Sequence, residues 1–373
     1  MTQFIRRLEI RGFRALSAFD TDALGKVNLI TGKNNAGKSS LLEAIRILVT
    51  GGAVKTLVDI LDYREELGSS NDAERAWLPT DLAPFCNLFS GFPDLASSQH
   101  GFSISAEGAL PESLSRISAQ FSWFVRRTDP DRQVFSYERV APDLFGDVDA
   151  FPALALDIAG RPRIVPLDRL LRRFLRRPEA DATPFACVYL DPFSSRSTSQ
   201  MAALWDAIAL TDVESEVVKA LQIISTDIQA VSVVGSDERG SRARTAIARS
   251  TAHSSPVPLR SIGDGVNRLF GIILSLCNAR NGVLLVDEIE NGLHYSVQTE
   301  IWRTIFRLAS TLNVQVFATS HSWDCVRAFQ QAASESPQDG ALVRLTRREN
   351  RVIATQFTEQ ELTLVTRDQI EVR

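Results

Sequence analysis

Cysteine and histidine are scarce in this chain, four of each among 373 residues. Cys86, Cys187, Cys277 and Cys325 stand far apart with no C-x-x-C pair, which excludes the spacing of a structural zinc site or a disulfide framework. They read as reduced, mostly buried thiols of a cytoplasmic protein. His100, His253, His294 and His321 show no metal-ligand spacing either. No apolar run reaches the length of a membrane span, and MTQFIRRLEI lacks the apolar centre of a secretory signal, so no membrane association is expected. Sustained heptads are missing, which excludes long coiled-coil arms. Positive charge is not in excess: the net charge is -4, so any nucleic-acid contact must come from local patches.

Against these absences one stretch stands out. GKNNAGKSS, residues 32 to 40, lies between the apolar run VNLIT and the helical pattern LLEAIRILV. Strand, glycine-rich loop and helix follow one another as the G-x-x-x-x-G-K-[ST] phosphate loop requires. Gly32, Lys33, Asn34, Asn35, Ala36, Gly37, Lys38, Ser39 and Ser40 are therefore the expected nucleotide-binding residues. The glycines let successive backbone N–H groups turn toward phosphate oxygens, and the helix N-terminus adds partial positive charge. Lys38 is expected on the β- and γ-phosphates and the Ser39 hydroxyl on Mg²⁺. ATP and Mg²⁺ are the implied cofactors.

A phosphate loop needs an acidic partner at the end of another strand. GVLLVDEIENGLH (282–294) supplies it: a buried parallel strand is expected over Val283, Leu284, Leu285 and Val286, with Asp287 and Glu288 at its exit. Asp287 is the expected metal-site carboxylate and Glu288 the base that polarises the attacking water. VQVFATS (314–320) reads as a third strand, and His321 at its end as a candidate sensor of the γ-phosphate.

Roughly 250 residues separate Lys38 from Asp287, too many for a compact GTPase or small kinase. Just ahead of the acidic strand, PLRSIGDGVNRLF places Ser261, Gly263 and Gly265 at the head of an apolar helix. That turn is either a second anion site, completing a nucleotide site shared between two chains, or a plain helix cap.

These segments, with the opening I-x-x-L-x-I-x-G-F-R-x-L (Ile5 to Leu16), LLVDEIENGLHYSVQ and ATSHS, resemble the ABC-type ATPase heads of the SMC and recombination-mediator class. They resemble more closely the ATPase domain of the overcoming-lysogenisation-defect (OLD) family and its stand-alone bacterial relatives. The resemblance covers residues 1–55 and 186–373. It implies an α/β P-loop fold of the ABC-head type, with an N-terminal antiparallel portion, a mixed insertion and a helical lobe. It also implies a homodimer that sandwiches ATP, Ser261 and Gly263–Gly265 of one chain reaching the γ-phosphate held by Lys38 of the other. Asn291 falls at the D-loop contact across that dimer, and Arg14 is either an arginine finger or a surface salt bridge. SIGDG departs from the LSGGQ-type signature by the added charge of Asp264.

Four regions are expected: 1–60 with the phosphate loop, 61–185 as an insertion, 186–255 as helical lobe and hairpin, and 256–373 with signature, acidic strand and His321. Within the insertion, FSISAEG, SAQFSWFVRR and QVFSYERV alternate like antiparallel strands, and LALDIAGRPRIVP reads as strand–turn–strand. MAALWDAIAL and EVVKALQIISTDI carry helical periodicity. LDRLLRRFLRR (167–177) predicts a helix with Arg169, Arg172, Arg173, Arg176 and Arg177 on one face, either a DNA- or RNA-facing surface or a solvated face. ERGSRARTAIAR (238–249) reads as a basic hairpin turn near the signature helix.

The expected function is an ATP-dependent switch of bacterial anti-phage defence, controlling a separately encoded effector such as a TOPRIM-like or other nuclease. The alternative is a nucleic-acid clamp in repair or recombination. An autonomous OLD-type nuclease is disfavoured, because no Asp-x-Asp cluster follows His321 and the sequence beyond it is shorter than a further domain would need.

Overall fold

The structure is a computed structural model. It describes residues 3–67, 79–95, 100–128, 135–140, 150–172, 185–193, 198–235, 244–336, 339–349, 351–357 and 361–362.

The three central apolar runs become strands buried at every position: β3 (Val27–Thr31), β13 (Val283–Val286) and β14 (Gln315–Ser320). Continuous burial is what a parallel strand covered on both faces demands. They belong to a six-stranded sheet of order β16-β15-β3-β14-β13-β9, completed by β9 (Cys187–Leu190), β15 (Gly340–Arg348) and β16 (Arg351–Phe357). All neighbouring pairs are parallel except β15 with β16. Alternate residues point into two cores. Leu29, Leu284, Val286, Val316 and Ala318 face one; Ile30, Val283, Leu285 and Phe317 face the other. The only long polar side chain buried in β14 is explained by its bonds: Gln315 takes the Ile5 N–H at 2.8 Å and donates to the Ile5 and Gly25 carbonyls.

The first core is closed by helices: α5 (Thr198–Asp206), α6 (Glu214–Leu221), α7 (Leu259–Ile262), α8 (Asp264–Asn278), α9 (Tyr295–Thr311) and α10 (Trp323–Ala333). The second holds α1 (Lys38–Val49), α2 (Val54–Tyr63), α3 (Pro79–Cys86) and α4 (Leu167–Arg172), packed under a seven-stranded antiparallel sheet. That sheet runs β2 (Leu16–Thr21), β1 (Arg7–Phe13), β4 (Gly101–Glu107), β5 (Arg116–Thr128), β7 (Ala150–Ile158) and β8 (Arg161–Pro166), with β6 (Phe135–Val140) on β5. The strands of segment 61–185 thus pair directly onto the N-terminal β1, residue for residue from Arg7↔Glu107 to Arg11↔Ser103. A third, small sheet joins β10 (Ile228–Gly235), β11 (Arg244–Ser250) and β12 (Val257–Pro258).

One sequence expectation changes. The helical pattern over EVVKALQIISTDI stops at Leu221, and Ile228 begins β10, because a strand partner in β11 overrides local propensity. The Arg-rich helix is described over Leu167–Arg172, where Leu167 and Leu170 are buried; Arg173, Arg176 and Arg177 lie outside the described residues. The basic hairpin is formed by β10 and β11, while residues 236–243 at its turn also lie outside them. Among the described residues the longest helix is α9, 17 residues, and none is long and apolar enough to cross a membrane. The four cysteines are unpaired thiols, and burial pushes those of Cys277 and Cys325 up to about 12.

Candidate active site

Registers fix which residues meet at one edge of the six-stranded sheet. Ser320 pairs with Thr31, Ala318 with Val286, and Leu190 with Val286, so Gly32, Asp191, Asp287 and His321 all leave their strands on the same side. That carboxyl edge is where open α/β sheets hold ligands.

The phosphate loop there has the backbone its sequence predicts. A Cβ on Gly32 (φ +147°) would sit 2.5 Å from the Leu345 carbonyl oxygen, which leaves glycine as the residue that fits. Gly37 opens α1 in the left-handed region (φ +92°), and no side chain caps that helix. The first amides of α1 therefore remain available to an anion. Lys38 Nζ folds back over the loop, donating to the carbonyls of Gly32 (2.7 Å) and Lys33 (3.1 Å). Burial lowers its pKa, and the negative charges of Asp287, Glu288 and Glu290 counter that shift.

The acidic exit of β13 is organised by Thr319, one residue before the end of β14. Its hydroxyl donates to Asp287 Oδ1 and accepts the Glu288 N–H at 2.8 Å. Glu288 itself holds a left-handed backbone (φ +47°), and Asn291 Nδ2 donates to its Oε2 at 2.8 Å. Asn291 thus orients the candidate base within its own chain. Glu290, 8% exposed, accepts the His321 N–H at 2.9 Å and lies 3.3 Å from its Nδ1. His321 is held beside the acidic turn, outside the walls of the phosphate-loop cleft. Ser39 and the buried Asp287 are hard oxygen donors of the kind Mg²⁺ takes, so the residues present fit that ion. Among the described residues no cluster of three or more His, Cys, Asp or Glu offers a separate metal site.

The cleft encloses about 720 Å³ and runs from Asn34–Ser40 and Asp287–Glu288 past Arg14, Arg64 and Glu66 to Asn87, Phe92 and Arg347. Sequence reasoning offered Arg14 as an arginine finger or a surface ion pair; the structure corrects the second. Arg14 is 7% exposed, bidentate to Glu66 at 2.8 and 2.9 Å, with Nε 2.7 Å from Glu43 Oε2. Arg64 completes the group, 2.7 Å from the other Glu43 oxygen. Burial raises the Glu43 pKa, against the pull of both arginines.

Arg14→Ala leaves two carboxylates short of a partner in a buried place, so it should destabilise the fold by about 3 kcal/mol. Glu43 binds its proton more readily folded than unfolded, and more so without Arg14. Stability of the variant relative to wild type therefore falls as pH rises through the raised Glu43 value and recovers toward acid. Urea unfolding of both proteins at pH 5 and pH 8 measures this; an equal deficit at both values would exclude Glu43 as the cause.

The signature residues lie elsewhere. Ser261 sits exposed in the four-residue α7, Gly263 separates it from α8, and neither they nor Gly265 line the cleft. Gly265 instead abuts the acidic turn: a Cβ there would stand 2.9 Å from the Gly292 carbonyl oxygen. One helical turn past Asp264, the buried Arg268 donates to the backbone carbonyls of Asp191, Asp287 and Glu288. Thr319, Glu290, Arg268 and the Arg14 network escaped sequence reasoning. Only Thr319 had a usable signal, since it stands one place beyond the residue level with Val286 in the neighbouring strand.

Residues 27–324 match the family described as AAA domain, putative AbiEii toxin, Type IV TA system. The chain is similar to an ATP/GTP phosphatase of Helicobacter pylori, 22% identical over 347 residues and 89% of each chain. Over 52 residues, 14% of each, it is 48% identical to the DNA replication and repair protein RecF of Thioalkalivibrio sulfidiphilus. Among solved structures it is similar to an SmcHead bound to the C-winged helix domain of ScpA. There the TM-score is 0.52 at 11% identity, with 95% of this chain and 98% of that one covered. The fold is that of an ABC-type ATPase head, an antiparallel sheet laid over a mixed α/β sheet.

Proposed function

The chain belongs to this AAA-domain family and is an ATP hydrolase, and we propose that it works as an ATP-driven switch, closing into a homodimer and controlling a separate effector protein. The observation that carries this is the split site: one chain assembles phosphate loop and acids at a single sheet edge, yet keeps the exposed Ser261 and the half-buried Gly263 out of that cleft. A glycine turn that does not line its own chain's cleft is suited to a neighbour's.

In this reading the amides of Gly32–Ser40 and the Lys38 ammonium hold the β- and γ-phosphates, and Ser39 and Asp287 hold Mg²⁺. The ion, when bound, neutralises charge on the phosphate oxygens. Glu288, oriented by Asn291 and by the Thr319 hydroxyl, accepts a proton from the attacking water. Glu290 holds His321, the candidate γ-phosphate sensor, beside the acidic turn. Ser261 and Gly263–Gly265 arrive from the second chain, with the Asn291 turn beside the seam. Two chains then enclose two nucleotides.

Support for a partner comes from the structural neighbour, which is bound to a domain of ScpA, and support for a defence role from the toxin–antitoxin wording of the family description. The OLD-like stand-alone ATPase is the form this reading takes, with the effector, a nuclease for example, on another chain.

Ser261→Arg tests the shared site. A bulky cation there should spare ATP binding to one chain while blocking closure and cutting hydrolysis about 10²-fold. Mixing it with Lys38→Ala should restore part of the rate, since the mixed dimer keeps one composite site whose two halves are unaltered. Wild-type turnover by Ser261→Arg alone would end the trans assignment.

A further inference from the structure

The cleft is longer than a phosphate site needs, and its far end is built differently. Arg14, Arg64 and Glu66 are tied to one another or to Glu43. Phe92 and Arg347 are not: both are exposed, and neither the ring nor the guanidinium has a partner among the described residues. Phe92 is 69% exposed although the turn that carries it is fixed. Phe89 bridges Phe13, the Ser90 N–H donates to Gly12 O at 2.8 Å, and the Arg14 N–H donates to Leu88 O. The chain then passes through two left-handed residues, Gly91 at φ +84° and Phe92 at φ +51°. That backbone costs about 1–2 kcal/mol at a phenylalanine. The turn therefore presents an uncovered ring at the cleft wall, at a conformational cost, from a segment pinned to the same β1–β2 corner that packs on the phosphate loop. At that corner a Cβ on Gly37 would touch Leu16 and Ala15.

We propose that Phe92 is the base-stacking residue of the nucleotide site, with Arg347 as the second, cationic contact to the nucleoside. This rests on the phosphate-loop reading above and adds the substrate selection. A ring offers a face to any base and reads no hydrogen-bond edge. The site accordingly takes nucleoside triphosphates as a class and discriminates little between ATP and GTP. An exposed aromatic on the dimer seam is the competing account.

Calorimetric titration of Mg-ATP, Mg-GTP and inorganic tripolyphosphate into the full chain decides between them, with Ser261→Arg as background so that closure does not contribute. Phe92→Ala should weaken ATP and GTP alike by about tenfold, within the range for loss of one base stack, and leave tripolyphosphate unchanged. Phe92→Tyr should restore both nucleotides, and Arg347→Ala should weaken both while sparing tripolyphosphate. Unchanged nucleotide affinity in Phe92→Ala, or an equal loss of tripolyphosphate, overturns the proposal. A Lys38→Ala protein that still binds tripolyphosphate as wild type would instead remove the phosphate-loop reading, which keeps the two failures apart.

Discussion

Lys38→Ala should lose ATP affinity by about 10²-fold or more, and hydrolysis with it. Truncating one partner of a desolvated, charge-assisted contact costs several kcal/mol, because the opposite charge is left in place without compensation. Here the geometry adds to the loss. The ammonium lies between the loop carbonyls of Gly32 and Lys33 and the field of Asp287, Glu288 and Glu290. Without it those three carboxylates repel the incoming triphosphate while the loop amides alone must hold it. Equilibrium dialysis with labelled ATP measures the change, with circular dichroism to establish that the variant is folded. Wild-type affinity in a folded Lys38→Ala protein would contradict the site.

Glu288→Gln separates binding from turnover. The amide fills the same volume, keeps a carbonyl oxygen for the Asn291 contact and leaves the backbone N–H on Thr319. It cannot accept the water's proton. Hydrolysis should fall about 10²–10⁴-fold while ATP still binds. The variant should then accumulate as a closed dimer whenever Mg-ATP is present. Light scattering coupled to gel filtration, with and without nucleotide, reads the mass directly. Normal turnover would move the base to another group, and His321, 3.3 Å from Glu290, is the nearest alternative.

Much of this site was legible because its signals are local. VLLV is apolar without alternation and VNLIT carries Val27, Leu29 and Ile30 on both faces, so strands buried on both faces follow from the letters, and the glycines of GKNNAGKSS announce a loop that only backbone can line. The antiparallel strands of segment 61–185 were legible too, yet not their attachment. That depends on Ile10 facing Ile104 across nearly a hundred residues, a register no window of sequence contains. The Arg14, Glu43, Arg64 and Glu66 group was invisible for a related reason. Each is an ordinary charged residue in a turn or on a helix, and burial among four charges becomes evident only when α1, α2 and the β1–β2 turn are packed. Resemblance assigned Asn291 to a contact across the dimer, and the letters gave no sign of its amide's bond to Glu288 in the same chain.

Arg268 carries a consequence for how the two ends of the machine communicate. Its guanidinium fastens α8 to three carbonyls at the exits of β9 and β13, and Gly265 rests against Gly292. The helix that begins at the glycine turn and the loop that bears the acids are thus a single rigid casting. A displacement at Gly263 is expected to reach Asp287 and Glu288 through these hydrogen bonds rather than through side-chain packing alone. In the proposed dimer, what a chain would donate to its neighbour and what it would use for itself are joined through α8.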